Sequence, residues 1–332
     1  MTIYIYSNNY NEMTGLGKQT LSITHQLKGK KRSFKSYKRL TKLIKNRSFF
    51  NFFYFVICQL DFFFLKDKAI GMSIVSPINI NAVHYSSCHL YSMRRVYGML
   101  LLRLILRPVN IFYILLEYIH YKNPRTTNIF LSQVEKENFE SVYGKTSSKN
   151  YIIRPKLTDR FFSDNISTKE TDNMMIISHN INLKGGDVFR SIIRNNKNSK
   201  INVFGSSGGI NDKNTVQHGY IDVAQFDYSN ITYFVYPSKI DSHSFALEEA
   251  LMHGLIPFYS KVVGFGEFLN RSELVHHYLC IDGFDELIWN EKIIAIKSNH
   301  SLKEQLINEL RLLKLEWENY DIRARYTKLG VL

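Results

Sequence analysis

One stretch of the chain limits what it can fold into: Pro237 to Glu267, PSKIDSHSFALEEALMHGLIPFYSKVVGFGE. The residues before it, ending VYPS, read as a buried strand. SKIDSHS is polar and turn-prone. FALEEALMHG then reads as a helix, with Ser242 or Ser244 as N-cap and Gly254 just past its end. LIPFYS is a strand again. Strand, loop, helix and strand in this order point to an α/β domain with a parallel sheet. One acid, Asp241, falls in the loop at the strand's C-terminal end. A second, Glu249, falls one to two turns into the helix, and backbone N–H groups lie between them. Carboxylates accept from hydroxyls and a helix N-terminus receives phosphate, so the pattern suits a polyol and an anion held side by side.

Length and charge fit that reading. A chain of 332 residues holds one large or two medium domains, and 45% hydrophobic content is ample for a core. Lys and Arg outnumber Asp and Glu by 43 to 29, a net charge of +14, which implies an anionic partner: nucleotide, nucleic acid or acidic membrane. The three cysteines, Cys58, Cys88 and Cys280, are far apart. They show neither metal spacing nor a disulfide framework, which suits a reducing cytosol. The start, MTIYIYSNNYN, reads as a first strand rather than a signal peptide. The chain is therefore expected in the cytoplasm.

In chain order, residues 2–6 form the first strand. A loop with Gly15 and Gly17 follows, then a helix from about Lys18 to Leu27. Lys28 to Arg47 carries ten basic residues and no acid. From Lys35 its spacing is helical, so it is either a solvated basic face or one that lies on the inner face of an anionic membrane. Residues 49–65, FFNFFYFVICQLDFFFL, are rich in aromatics but short of the ~20 residues a span needs. Asn51, Gln59 and Asp61 interrupt them, so this segment is expected to be half buried in the domain, with contact to the membrane interface left open. Arg103, Arg107 and Pro108 argue against a span in VYGMLLLRLILRPVNIFYILLEY. GMSIVSP and INAVHYSS read as buried strands, with His84 near the end of the second, where parallel α/β sheets place ligands. Ser132 and Glu135 form a capping box at the start of a helix. A second domain opens with MMIISHNINLKGGDVFRSII: a strand to Ser178, a polar loop with His179 and Lys184, and a helix from about Gly185. The tail, EQLINELRLLKLEWENYDIRARYTKL, reads as helical.

Pro237, Ser238, Asp241, Glu249, Ala250 and Gly254 resemble the donor-site pattern of glycosyltransferase family 4, P-S-x-x-E-G-F-G-L-x-x-L-E-A-M-A-x-G, without a gap. The departures are Asp241 for the first Glu, Ser242-His243-Ser244 for Gly-Phe-Gly, and Glu248 for a Leu. The resemblance implies the GT-B fold, two Rossmann-like α/β domains facing across a cleft. It divides the chain into an acceptor-side domain over 1–157, a donor-binding domain over 158–312, and a helix over 313–332 that crosses back. It implies a retaining transfer of a hexose-type sugar from a nucleotide-sugar donor to a glycan or lipid-linked acceptor in bacterial surface polysaccharide synthesis. No cofactor, metal or nucleic acid is expected. By resemblance, Lys184 meets the donor diphosphate and Asp241 and His84 face the donor sugar. Glu249 holds the ribose, and the amides of Ser244, Phe245 and Ala246 receive phosphate. His179 stands where an Arg is usual, and Gly15 and Gly17 approach the phosphates from the first domain. Gly219-Tyr220 fall where the base is bound.

Other readings use fewer of these features. A GT-B epimerase shares the fold. A phosphorylase needs a lysine for a covalent cofactor, and none is identifiable. A nucleic-acid-binding protein or an inactive membrane-binding relative rests on charge alone.

Overall fold

The computed structural model describes residues 3–7, 15–32, 47–63, 68–72, 76–78, 80–85, 88–97, 109–157, 171–177, 181–205, 210–221 and 226–330. The chain divides into two compact units. Unit 1 is Met1–Lys156 with Asp321–Leu332, and unit 2 is Leu157–Tyr320.

Unit 1 runs β1 (Ile3–Tyr6), α1 (Gly15–Gln26), β2 (Lys30–Arg32), α2 (Arg47–Phe63), β3 (Lys68–Gly71), β4 (Ala82–His84), α3 (His89–Tyr97), α4 (Val109–Lys122), β5 (Thr127–Phe130), α5 (Gln133–Tyr143) and β6 (Asn150–Ile152). Its six strands are all parallel, in the order β2-β1-β3-β4-β5-β6. Parallel strands buried on both faces need no polar alternation, and IYIY, AVH and TNIF have little. Phe139 of α5 closes the core, its ring 4.5 Å from Tyr85, 5.3 Å from Phe130 and 5.4 Å from Tyr121.

Several local expectations change here. Gly15 and Gly17 lie in the first turn of α1, not in the loop before it. The strand expected in GMSIVSP is KAIG, ending at Gly71, where an added Cβ would stand 2.2 Å from Ser76 Oγ. Residues 49–63 belong to one helix that buries Tyr54 and Cys58. Asn150–Ile152 pairs with β5 as the sixth strand, just before the expected domain boundary at 157. The Ser132 cap is present: its hydroxyl accepts from Glu135 N at 3.1 Å. The basic segment from Lys35 to Lys45 lies outside the described residues.

Unit 2 runs β7 (Met174–Ile177), α6 (Gly186–Asn195), β8 (Ile201–Phe204), β9 (Thr215–Gly219), β10 (Tyr233–Tyr236), α7 (Phe245–Met252), β11 (Ile256–Ser260), α8 (Gly266–Leu269), α9 (Glu273–Leu279), β12 (Cys280–Ile281), α10 (Glu286–Ser298) and α11 (His300–Glu318). Its sheet is also parallel throughout, in the order β12-β11-β10-β7-β8-β9. Counted within the unit, this is the 3-2-1-4-5-6 order of the dinucleotide-binding fold. Its order reverses between β7 and β10, where such sheets bind ligands beyond the strand C-termini.

The tail is two helices rather than one. α11 ends at Glu318, and Asp321 caps α12 (Ile322–Lys328) by accepting from Ala324 N at 3.0 Å. Asn319, Tyr320 and Asp321 interrupt the apolar period, and α12 belongs to unit 1. Among the described residues, no helix is long and apolar enough to cross a membrane.

Candidate functional site

The loops after β7 and β10 meet at the reversal point. Gly185 makes this possible. Its φ is +76°, and a Cβ there would lie 2.3 Å from the Pro237 carbonyl oxygen, so only glycine lets the two backbones approach. Lys239 N donates to Leu183 O at 2.8 Å and locks the loops together. The second loop is held from its other side: Gly264 N donates to Asp241 O at 2.8 Å, and Phe265 N to His243 O at 2.6 Å.

This scaffold sets Lys184 against Asp241. Lys184 Nζ lies 2.8 Å from Asp241 Oδ2, with the side chains 17% and 20% exposed. Tyr236, the last residue of β10, donates its hydroxyl to the same oxygen. Lys184 Nζ also reaches the Tyr236 hydroxyl and stands 4.5 Å from the centre of its ring. Ser238 Oγ is 3.4 Å from the ammonium, and His243 N donates to Asp241 Oδ1 at 3.3 Å. Burial favours the neutral forms of both charged groups, but their mutual attraction wins. Lys184 is held above its ordinary range by Asp241 and Tyr236. Asp241 is held below its ordinary range by Lys184, with help from Tyr236 and His243 N. The Tyr236 hydroxyl is pushed up to about 12, by burial first and then by the Asp241 charge.

Beside this cluster begins α7. Its cap is Ser244, whose hydroxyl accepts from Leu247 N at 3.2 Å. The Phe245 and Ala246 amides head the helix, where backbone donors have no partner within it. Ser244 has φ +71°, a left-handed backbone unusual for a residue with a Cβ. It occupies a glycine position of the family 4 pattern and keeps the conformation that glycine favours.

The solved structures now bear on this geometry. A glycosyltransferase involved in lipopolysaccharide biosynthesis, WaaG, superposes at TM-score 0.75 with 14% identity, covering 99% of this chain and 98% of that one. Anabaena HepE, solved with UDP and glucose, superposes at TM-score 0.63 with 10% identity, covering 99% and 98%. Sucrose-phosphate synthase from Thermosynechococcus elongatus superposes at 0.60 with 13% identity, covering 75% and 66%. The fold is GT-B. No protein-family model matches the chain, and no curated protein matches it in sequence.

On this GT-B frame the other expected site residues separate. Glu249 lies within α7, only 3% exposed. His179 lies outside the described residues. In unit 1, His84 is fully buried at the end of β4, and its Nε2 meets the Tyr326 hydroxyl of α12. Burial lowers its pKa to about 3, so it is neutral at pH 7. Gly15 and Gly17 sit at the head of α1, after the β1 strand that borders unit 1's own reversal point. Among the described residues, no group of three or more His, Cys, Asp or Glu is placed to hold a metal ion.

Sequence reasoning missed two features. Tyr236 was legible only as the end of a buried strand. Glu248, a departure from the family pattern, is a buried hub. Its Oε1 accepts from Leu157 N at 2.7 Å and Trp317 Nε1 at 2.8 Å, while Oε2 lies 3.1 Å from His243 Nε2. The paired change of Phe to His at 243 and Leu to Glu at 248 was the available signal, since a buried acid needs partners.

Proposed function

We propose that the chain transfers a hexose-type sugar from a nucleotide donor to a glycan or lipid-linked acceptor, with retention at the anomeric carbon and without a divalent metal. The observation that carries this reading is the Lys184–Asp241 pair at the reversal point of a GT-B unit. The lipopolysaccharide role of WaaG and the UDP and glucose bound to HepE support the substrate class and a place in surface polysaccharide synthesis.

The chemical difficulty is negative charge growing on the departing diphosphate as an oxocarbenium-like sugar forms. Lys184 supplies a fixed cation beside the Phe245 and Ala246 amides, and stabilising charge that develops in the transition state accelerates the step. His179 assists when protonated. Asp241 neutralises Lys184. An arriving diphosphate competes for that ammonium, and the released carboxylate can then accept from sugar hydroxyls. Glu249 holds the ribose. A lipid-linked acceptor brings the enzyme to the membrane surface from the cytoplasm.

A melting panel of nucleotide sugars tests the reading. The matching donor at about 100 times its dissociation constant adds ~2.7 kcal/mol of stability. Incubation of that donor with candidate acceptors, with and without chelator, followed by NMR of the product, reads metal dependence and anomeric configuration. A panel without any stabilising nucleotide sugar overturns the proposal. An inverted product or loss of activity with chelator overturns the mechanism.

A further inference from the structure

The outer faces of α2 and α4 have a composition that a water-facing surface does not need. From Phe52 onward, the exposed positions of α2 are Phe52, Phe53, Val56, Leu60 and Phe63. Those of α4 are Ile111, Leu115 and Tyr118. No charged residue is exposed on these described faces. Leu60 is 60% exposed and Phe63 83%. Both helices also bury their opposite sides, α2 through Tyr54 and Cys58 and α4 through Leu116 and Tyr121. Both helices thus present apolar side chains outward as well as toward the core, where Asp61 is partly buried and Glu117 fully buried. The two helices are neighbours, since the Phe112 ring lies 5.7 Å from Phe52 and 5.9 Å from Phe55. Exposed apolar surface on this scale marks an interaction site.

We infer that the α2–α4 face is a membrane-docking surface that inserts its apolar side chains into the interfacial region of an anionic bilayer. Charge selects this occupant. α2 begins at Arg47, the last of ten basic residues that run from Lys28 without an acid. Lys28, Lys30 and Lys31 are exposed in the described part of that run. A second copy of the chain carries the same net charge of +14, so two copies repel one another. An anionic headgroup layer is opposite in charge to the chain and to the exposed Lys28, Lys30 and Lys31 of the same unit. Because no described helix can cross a membrane, the face lies on the bilayer rather than through it. The inference stands on unit 1 alone and holds whether or not the chain transfers sugar.

The test is flotation of the purified full chain with vesicles of phosphatidylcholine, with and without phosphatidylglycerol. The wild type floats with the anionic vesicles. It is retained in part at about 1 M salt, where screening acts within ~3 Å and only insertion holds it. Leu60→Asp with Phe63→Asp, and separately Ile111→Asp, lower vesicle affinity by about tenfold or more, since each exposed side chain contributes through its buried apolar area. These positions are exposed, so the variants keep the wild-type melting temperature and any nucleotide-sugar stabilisation. Lys30→Glu with Lys31→Glu weakens capture at low salt. Variants that float like the wild type overturn the inference, as does complete release by salt. A wild type that stays off vesicles but is dimeric by light scattering, with monomeric Asp variants, reassigns the face to a second copy.

Discussion

Lys184 and Asp241 are joined at 2.8 Å although 57 residues separate them in sequence. Each displaces the other's pKa in the charged direction, which makes the pair a pH-readable element of stability. Asp241 sits below its ordinary range, so its contribution is present above the unfolded value and is lost as pH falls through the folded one. Lys184 sits above its ordinary range, so its contribution is present below the unfolded value and is lost as pH rises through the folded one. Asp241→Asn should therefore cost ~2 kcal/mol on a plateau from about pH 5 to 9. The cost should shrink on both sides of that plateau. Thermal melting of the two proteins across pH reads the difference directly, and a pH-independent cost would deny the pair its electrostatic role.

Lys184→Ala should lower turnover by ~10²–10³ while changing donor affinity much less, because charge on the leaving diphosphate grows as the bond breaks. Removing the lysine also leaves Asp241 unpaired. The double variant Lys184→Ala/Asp241→Asn separates the lost cation from the uncompensated carboxylate. If both variants turn over near the wild-type rate, the phosphate role passes to the α7 amides and His179.

Ser244 combines a helix cap with a left-handed backbone at φ +71°. The two contributions move in opposite directions on substitution. Ser244→Ala keeps the strained conformation and loses the cap to Leu247 N, costing ~1 kcal/mol. Ser244→Gly loses the cap too, but relieves a strain worth roughly 1 kcal/mol. Chemical denaturation should rank glycine at or near the wild type and alanine clearly below it. Equal losses in the two variants would show that the backbone conformation there carries no strain.

Unit 2 was more legible than unit 1, for a physical reason. Short apolar strands alternate there with capped helices, and the acid-bearing loop, the Lys184-Gly185 turn and the α7 cap each leave a local signal. Gly185 could be placed from sequence, and the α7 cap narrowed to Ser242 or Ser244, because turn chemistry is short-range. Tyr236 could not, since its hydroxyl matters only once β7 and β10 lie side by side. The same holds for Glu248, whose partners Leu157, His243 and Trp317 come from three separate segments. In unit 1, the aromatic stretch 49–65 has too few polar positions to distinguish a core helix from an interfacial one. Only burial of Tyr54 and Cys58, with exposure of Leu60 and Phe63, shows that α2 faces both ways.

Unit 1 also holds a buried carboxyl whose titration should set the alkaline side of its stability. Glu117 of α4 is fully buried. It accepts from His89 N at 2.7 Å and from the Tyr143 hydroxyl at 2.6 Å, tying α4 to the start of α3 and to α5. Burial pushes its pKa up to about 7, against the pull of those donors. A carboxyl raised in the folded state contributes stability that is complete below its unfolded value near 4.5 and is lost as pH rises through about 7. His84 acts at the other end, because its lowered pKa costs stability as pH falls below the ordinary histidine value of 6.5. Glu117→Gln removes the titration and keeps one oxygen to accept from His89 N, while its amide nitrogen faces the Tyr143 hydroxyl as a donor. Its stability relative to the wild type should therefore improve by about 2.5 kcal/mol between pH 5 and pH 8, the part of the shift in Glu117 that falls within that window. Urea unfolding of both proteins at those two pH values measures the change. A relative stability that stays constant, or moves toward the wild type as pH rises, would mean that Glu117 is already ionised in the folded protein and that its donors outweigh its burial.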